Sequence, residues 1–200
     1  MLPRWLALCS FVLVSAGACE VAVDPAPRPT STVVAVPSPQ TIVLCSPPYP
    51  SGPPSVETVF CTDPATLQPA PLLRVVDGDT IHVEIDGRDE TVRFYGIDTP
   101  ERGDPCFAEA TARTSELVGS RALLLPDARE RDRYGRLLRY VYTGDGLSVD
   151  ASLIAEGLAR AWRDDGALRD PLVVLEDLAR AYHRGCLWAA ALSLPTRRDR

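Results

Sequence analysis

Val76-Asp77-Gly78-Asp79-Thr80-Ile81-His82-Val83-Glu84-Ile85 decides how this chain folds. Asp77-Gly78 is a turn signal directly after the apolar run Leu72 to Val76. Beyond it, Ile81, Val83 and Ile85 alternate with polar residues, the period-two pattern of a half-buried strand. Working outward, Asp86-Gly87 is a hairpin signal. Thr91 to Ile97 forms a third run that ends at Asp98, and Pro100 stops further pairing. The three runs predict a meander of strands. Along the third, Arg93, Tyr95 and Ile97 share one face.

This meander gathers a chemical set. Asp79 opens the second strand and Asp98 follows the third, with Arg93 and Glu101 close by. Two carboxylates without cysteine or neighbouring histidine suit a hard cation such as calcium. An arginine beside it suits a phosphate oxygen, because the planar guanidinium binds bidentately. A free glutamate can take a proton from water. Asp-Gly-Asp-Thr, Asp-Thr-Pro-Glu or Arg93 alone would be a turn, a cap or a solvated side chain. Together and in order they point to phosphodiester hydrolysis.

A further element is Asp132-Arg133-Tyr134-Gly135-Arg136. With Val76–Thr80, Arg93 and Asp98–Glu101, its order and spacing resemble the thermonuclease, or micrococcal-nuclease-like, family. The resemblance continues through Ala155–Arg160 to Gly185–Trp188 and covers roughly residues 71–190. It implies an α+β fold, a five-stranded OB-type barrel with about three helices. It also implies a calcium-dependent nuclease that cuts DNA and RNA with little sequence preference, leaving 3′-phosphate ends. Asp79 and Asp98 match the calcium carboxylates, and Thr99 the position that offers a main-chain oxygen. Glu101 matches the general base, and Arg93 and Arg136 the arginines on the scissile phosphate. Arg133 and Tyr134 match contacts to a neighbouring phosphate, and Asp77 an acid beside the metal. Trp162 is the one obvious candidate for base stacking. Single-stranded or frayed substrate and a monomer are expected. A non-catalytic binding module on the same barrel is the alternative, but such a module would typically have lost the acids or arginines that are all present here.

The chain has 200 residues, 46% of them hydrophobic, and a net charge of −6. All 21 basic residues are arginine. Residues 71–190 carry 16 Arg against 22 Asp and Glu, again −6. Polyanion binding normally wants a basic field. Arg129, Arg131, Arg133, Arg136 and Arg139 cluster around Tyr134, which predicts a focused basic groove on an acidic protein.

Residues 1–18 have the form of an export signal: Arg4, an apolar core from Trp5 to Val14 too short to span a bilayer, and small residues Ala16-Gly17-Ala18. Cys19 follows at once, as in a bacterial lipoprotein, so a lipid on Cys19 would hold the protein at the cell envelope. Ordinary secretion after Ala18 is the alternative. Residues 19–70 form a tether: thirteen of 19 prolines lie between Pro25 and Pro71. Lipidation of Cys19 and removal of Cys9 leave four cysteines, an even number that suggests two bridges. Cys45–Cys61 and Cys106–Cys186 are the expected pairs, with free thiols or mixed pairing as alternatives. After the meander, helices are expected at about 107–118, 149–156 and from Asp170-Pro171, with Asp170 as N-cap. Strands are expected at 121–125 and 137–142, a charged loop at 126–133, and a basic tail at 191–200. His82 alternates away from the apolar positions and is expected to face solvent. No Ser-His-Asp set and no Cys-x-x-Cys site can be assembled, which argues against a triad hydrolase or a zinc protein.

Overall fold

A computed structural model of the chain describes Cys45 and residues 58–189. The expected export signal, the lipidation residue Cys19, most of the tether and the basic tail lie outside the described residues. In chain order the elements are β1 (Gln68–Val75), β2 (Thr80–Ile85), β3 (Arg88–Phe94), β4 (Ile97–Asp98), α1 (Phe107–Val118), β5 (Arg121–Arg131), β6 (Leu137–Tyr142), α2 (Val149–Ala155), β7 (Arg160–Ala161), α3 (Arg169–Ala181) and α4 (Gly185–Trp188).

The meander forms, but its third strand ends at Phe94 rather than at Ile97, which pairs separately with β7. β2 pairs antiparallel with β1 and β3, and the pleat sends Ile81, Val83, Val92 and Phe94 into the core. The barrel closes in the order β1-β2-β3-β6-β5. Closure needs one parallel pairing, β3 with β6, in the register Val92↔Leu137, Arg93↔Leu138 and Phe94↔Arg139. All six residues of β6 are buried; α2 packs on the strand, and α3 packs in turn on α2. The result is five barrel strands with four helices, one more than expected.

Several boundaries differ from the sequence reading. The residues assigned to a charged loop at 126–133 mostly continue β5, whose ladder with β6 slips between Pro126 and Arg131. Pro126 lacks an N–H and the charged residues point to solvent, so neither apolar periodicity nor a full ladder marks this half of the strand. Asp170 is in the first turn of α3 rather than its N-cap, which is Leu168; there its charge still favours the helix N-terminus. β4 and β7 form a two-stranded sheet, Ile97↔Ala161 and Asp98↔Arg160, too short to show periodicity. β1 begins ahead of Pro71, and Val59, Phe60, Leu67 and Ala70 are buried in the core. Cys45 is bonded to Cys61, and Cys106, just before α1, to Cys186 in α4, the two expected pairs. His82 is not free in solvent: it is 17% exposed and meets Asp89, Arg74 and Thr91.

Candidate active site

The turn between β1 and β2 is built to hold one carboxylate. Val76 and Asp77 N–H both donate to Thr80 O, at 2.9 and 3.3 Å, and Asp79 N–H donates to Asp77 Oδ1 at 3.1 Å. Gly78 is glycine because Thr99 sits on it: a Cβ there would lie 2.8 Å from the Thr99 side chain. That close approach lets Thr99 N–H and Oγ1–H donate to Asp79 Oδ2, at 2.7 and 2.8 Å. Thr80 Oγ1–H donates to Asp79 Oδ1 at 3.1 Å. From α1, Thr114 Oγ1–H donates to Gly78 O at 2.7 Å. Asp79 is thus buried but fully solvated by protein donors. Beside it, burial pushes the Asp77 carboxyl up and the charge of Asp79 adds to the effect.

Arg93 joins the two carboxylates. It is the cross-strand partner of Thr80. Its guanidinium pairs with Asp79 through Nη1 and with Asp98 Oδ1 through Nη2, the latter at 2.6 Å. Nη1 is buried and lies against Asp79 without a directed hydrogen bond. The sequence-predicted residues Asp79, Arg93, Asp98 and Thr99 therefore converge. Glu101 does not join them here: it is exposed on the loop before α1, and no contact among the described residues ties it to the others.

Arg93, Tyr95 and Ile97 line a cleft of about 400 Å³ together with Arg133, Tyr134, Arg136 and Trp162. The β5–β6 turn sets its far wall. Asp132 Oδ1 accepts from Tyr134 N–H and Arg136 N–H, both at 2.9 Å, and Oδ2 accepts from Arg136 Nε at 2.7 Å. Burial opposes ionisation of Asp132, but the Arg136 guanidinium and the two amides outweigh it and hold the carboxyl below its usual range. Pinned through Nε, Arg136 keeps its Nη groups for an anion. Tyr134 is 69% exposed, and Arg133 lies 4.7 Å over its ring with Nη2 2.6 Å from its hydroxyl.

The expected five-arginine groove is smaller than its sequence suggests. Arg129 pairs with Asp165, Arg131 with Glu90, and Arg139 is buried against Glu130. Of the five, only Arg133 is without an ion pair among the described residues; Arg136 is paired locally with Asp132 through Nε, and Arg93, outside the cluster, is held by Asp79 and Asp98. Sequence reasoning also missed Asp132 and Asp165. Asp132 had a legible signal, its i,i+4 spacing to Arg136. Asp165 had none, since its partners are Tyr95 Oη at 3.1 Å, Arg129 at 2.9 Å and Trp162 Nε1 at 2.9 Å. This network lifts Trp162 into the cleft wall. Burial of Asp165 is outweighed by Arg129, Trp162 and Tyr95, which hold its carboxyl below the usual range.

The donor chemistry fits a hard cation. Asp79 and Asp98 each set an oxygen on the Arg93 guanidinium, on Nη1 and Nη2 respectively, and neither sulfur nor imidazole is among their contacts. Among the described residues no group of three His, Cys, Asp or Glu side chains assembles. Two carboxylates would thus share the shell with main-chain oxygen, such as that of Thr99, and water.

Known proteins resemble this chain in sequence. The endonuclease YncB of Bacillus subtilis (strain 168) is 47% identical over 95 residues, 44% of each chain. A thermonuclease of Staphylococcus intermedius is 42% identical over 95 residues, 44% of this chain and 56% of its own. An uncharacterized endonuclease of Escherichia coli O157:H7 is 34% identical over 125 residues, 62% of this chain and 79% of its own. The chain thus spans about half the length of the first two and most of the third. Residues 91–190 match the family described as staphylococcal nuclease homologue, and this chain belongs to that family.

Proposed function

We propose that the protein is an exported, calcium-dependent nuclease that hydrolyses phosphodiester bonds of DNA and RNA with little sequence preference, leaving 3′-phosphate ends. The observation that carries this reading is the Asp79–Arg93–Asp98 assembly, whose arginine lines the same cleft as Arg136. The endonucleases and the thermonuclease among its relatives support it.

In this reading Asp79, Asp98 and the main-chain oxygen of Thr99 hold calcium, which supplies fixed positive charge beside the phosphate when bound. Arg93 and Arg136 grip the scissile phosphate from two walls of the cleft. Their guanidinium groups stabilise the charge that grows on its oxygens as the pentacoordinate transition state forms. Arg133 and Tyr134 hold the next phosphate. Glu101 takes the proton of the attacking water. Its exposed loop leaves the carboxylate free to meet substrate, and catalytic contacts often tighten only with substrate bound.

The test is cleavage of single-stranded DNA and RNA by the purified chain with calcium, then with excess chelator. Activity should need calcium and vanish with chelator, and zinc should not replace it, since the donors are all oxygen. Full cleavage in chelator would overturn the metal assignment. Export and envelope attachment through a lipid on Cys19 belong to the same proposal. Intact-mass analysis should find the mature chain starting at a lipidated Cys19; an unmodified Cys19 would overturn it. Stable attachment needs more than one acyl chain.

A further inference from the structure

The peptide of Gly96 is held from both sides. Its carbonyl accepts Trp162 N–H at 2.9 Å, and its N–H donates to Asp150 Oδ1 at 3.1 Å. The other oxygen of Asp150, Oδ2, accepts Val141 N–H at 2.9 Å. Asp150 lies in the first turn of α2, fully buried, and makes no ion pair among the described residues. The fit is tight: a Cβ on Gly96 would lie 2.5 Å from Leu172 Cδ1 and 3.0 Å from Asp150 Oδ1.

The place of this carboxylate in the sheet gives it meaning. The β3–β6 register ends at Phe94↔Arg139, and Tyr95 N–H to Arg139 O, 2.9 Å, is the last bond of the ladder. Beyond it the chain leaves β6 to reach Asp98. Asp150 spans the gap, bonding Gly96 on one side and Val141 on the other. Gly96 lies between Arg93 and Asp98, and β6, which carries Val141, begins directly after Arg136. We propose that Asp150 is a positioning residue: its carboxylate bridges the segment bearing Arg93 and Asp98 to the strand that follows Arg136, and so sets the spacing of the two arginines across the cleft. As a role in the reaction, this rests on the nuclease reading above.

The bridge has a pH dependence. Burial pushes the Asp150 carboxyl up to about 7, and the amides of Val141 and Gly96 and the charge of Arg93 only partly oppose it. Arg93 on β3 and the hydroxyls of Tyr140 and Tyr142 on β6 are the titratable groups that feel its charge. An ionised carboxylate accepts both amides; a protonated one turns one oxygen into a donor. Both arms are therefore complete only above about pH 7.

The experiment uses the ¹⁵N-labelled full chain and its Asp150→Asn variant. In the wild type the Gly96 and Val141 amide resonances should titrate together with a midpoint near 7, and Arg93 Nε–H should move at that same midpoint. The variant should lose that midpoint. With calcium and a DNA substrate it should lose about tenfold in kcat, change KM by less than about twofold, and lose the limb of the pH–rate profile near neutrality. Amides that stay still across neutral pH in the wild type would overturn the proposal. So would a variant with wild-type kcat and an unchanged pH profile. If the variant does not fold, the wild-type titration alone decides. A shared midpoint in a chain that cuts no nucleic acid would count against the nuclease reading and not against the bridge.

Discussion

Arg136 is useful because Asp132 has already oriented it. Of its donors, Nε is committed to Asp132 Oδ2 and the Nη pair remains for substrate. Arg136→Ala should therefore lower kcat on the order of 10²-fold or more, since it removes a donor aimed at developing charge. The melting temperature should fall less than in Asp132→Ala, because only the Nε bond to Asp132 is lost and the backbone amides still hold that carboxylate. Arg93→Lys should also be poor, since an ammonium cannot reach both Asp79 and Asp98 in place of the fork. Near-normal turnover in both variants would place the phosphate elsewhere. Asp132→Ala tests the orientation itself. It removes three hydrogen bonds, so stability should fall by roughly 1–3 kcal/mol and kcat with it. Thermal melts and steady-state rates check both. The residues that bear charge toward substrate were legible because Arg93, Asp98–Glu101 and Asp132–Arg136 resemble the thermonuclease family. Those that orient them were less so: Asp132 shows only an i,i+4 spacing, and the Thr99 hydroxyl on Asp79 depends on the close approach at Gly78, which no single-sequence pattern displays.

Two elements carry consequences of their own. The first is α2, where Asp150 sits. Its carboxyl is raised in the folded state, to about 7, above the usual aspartate value of 3.8. Between those values the folded state binds more protons than the unfolded one, so this group makes stability fall as pH rises. Below 3.8 it contributes no penalty; above about 7 the penalty is complete, up to roughly 4 kcal/mol. Asp150→Asn should gain on the wild type in denaturant titrations as pH rises from 4 to 7, and a constant difference between the two would refute the shift. The second is the Cys106–Cys186 bond, which joins the start of α1 to α4 across 80 residues. Closing a loop that long stabilises by roughly 4 kcal/mol through the unfolded chain. Replacing both cysteines by serine should lower the melting temperature by about 10 °C. It should also loosen the Glu101–Pro105 loop, visible as faster amide exchange there than in the wild type. The helix Phe107–Val118 and the strand Leu137–Tyr142 were readable to the residue, because periodicity, a Gly119 stop and an unbroken apolar run mark them. The outer half of β5 and the β4–β7 pair were not, being polar or two residues long, and only barrel closure brings them into sheet.

For the whole molecule, the proposed nuclease reading requires a chain of net charge −6 to hold a polyanion. Most arginines near the cleft are neutralised by acids of the same chain, as Arg129 is by Asp165 and Arg131 by Glu90. Arg133 makes no ion pair among the described residues, and Arg93 and Arg136 line the cleft although Asp79, Asp98 and Asp132 hold them, so the proposed reading gives about three phosphate contacts. Each neutralised phosphate of a single strand contributes a slope of about −0.7 to the fall of log affinity with log salt. The expected total is thus about −2, far shallower than for a protein with a broad basic face. The remaining acidic surface repels the substrate outside the cleft, so binding should be weak and should not extend along the strand. Fluorescence anisotropy with a short labelled DNA and the Glu101→Gln variant, which on the proposed reading should bind without turnover, measures the slope in calcium buffer. Arg133→Ala should reduce it by about 0.7, whereas Arg131→Ala should leave it unchanged. A slope steeper than about −4, or an equal effect of the two substitutions, would mean that the ion pairs around the cleft open on binding and that the wider arginine cluster contacts substrate after all.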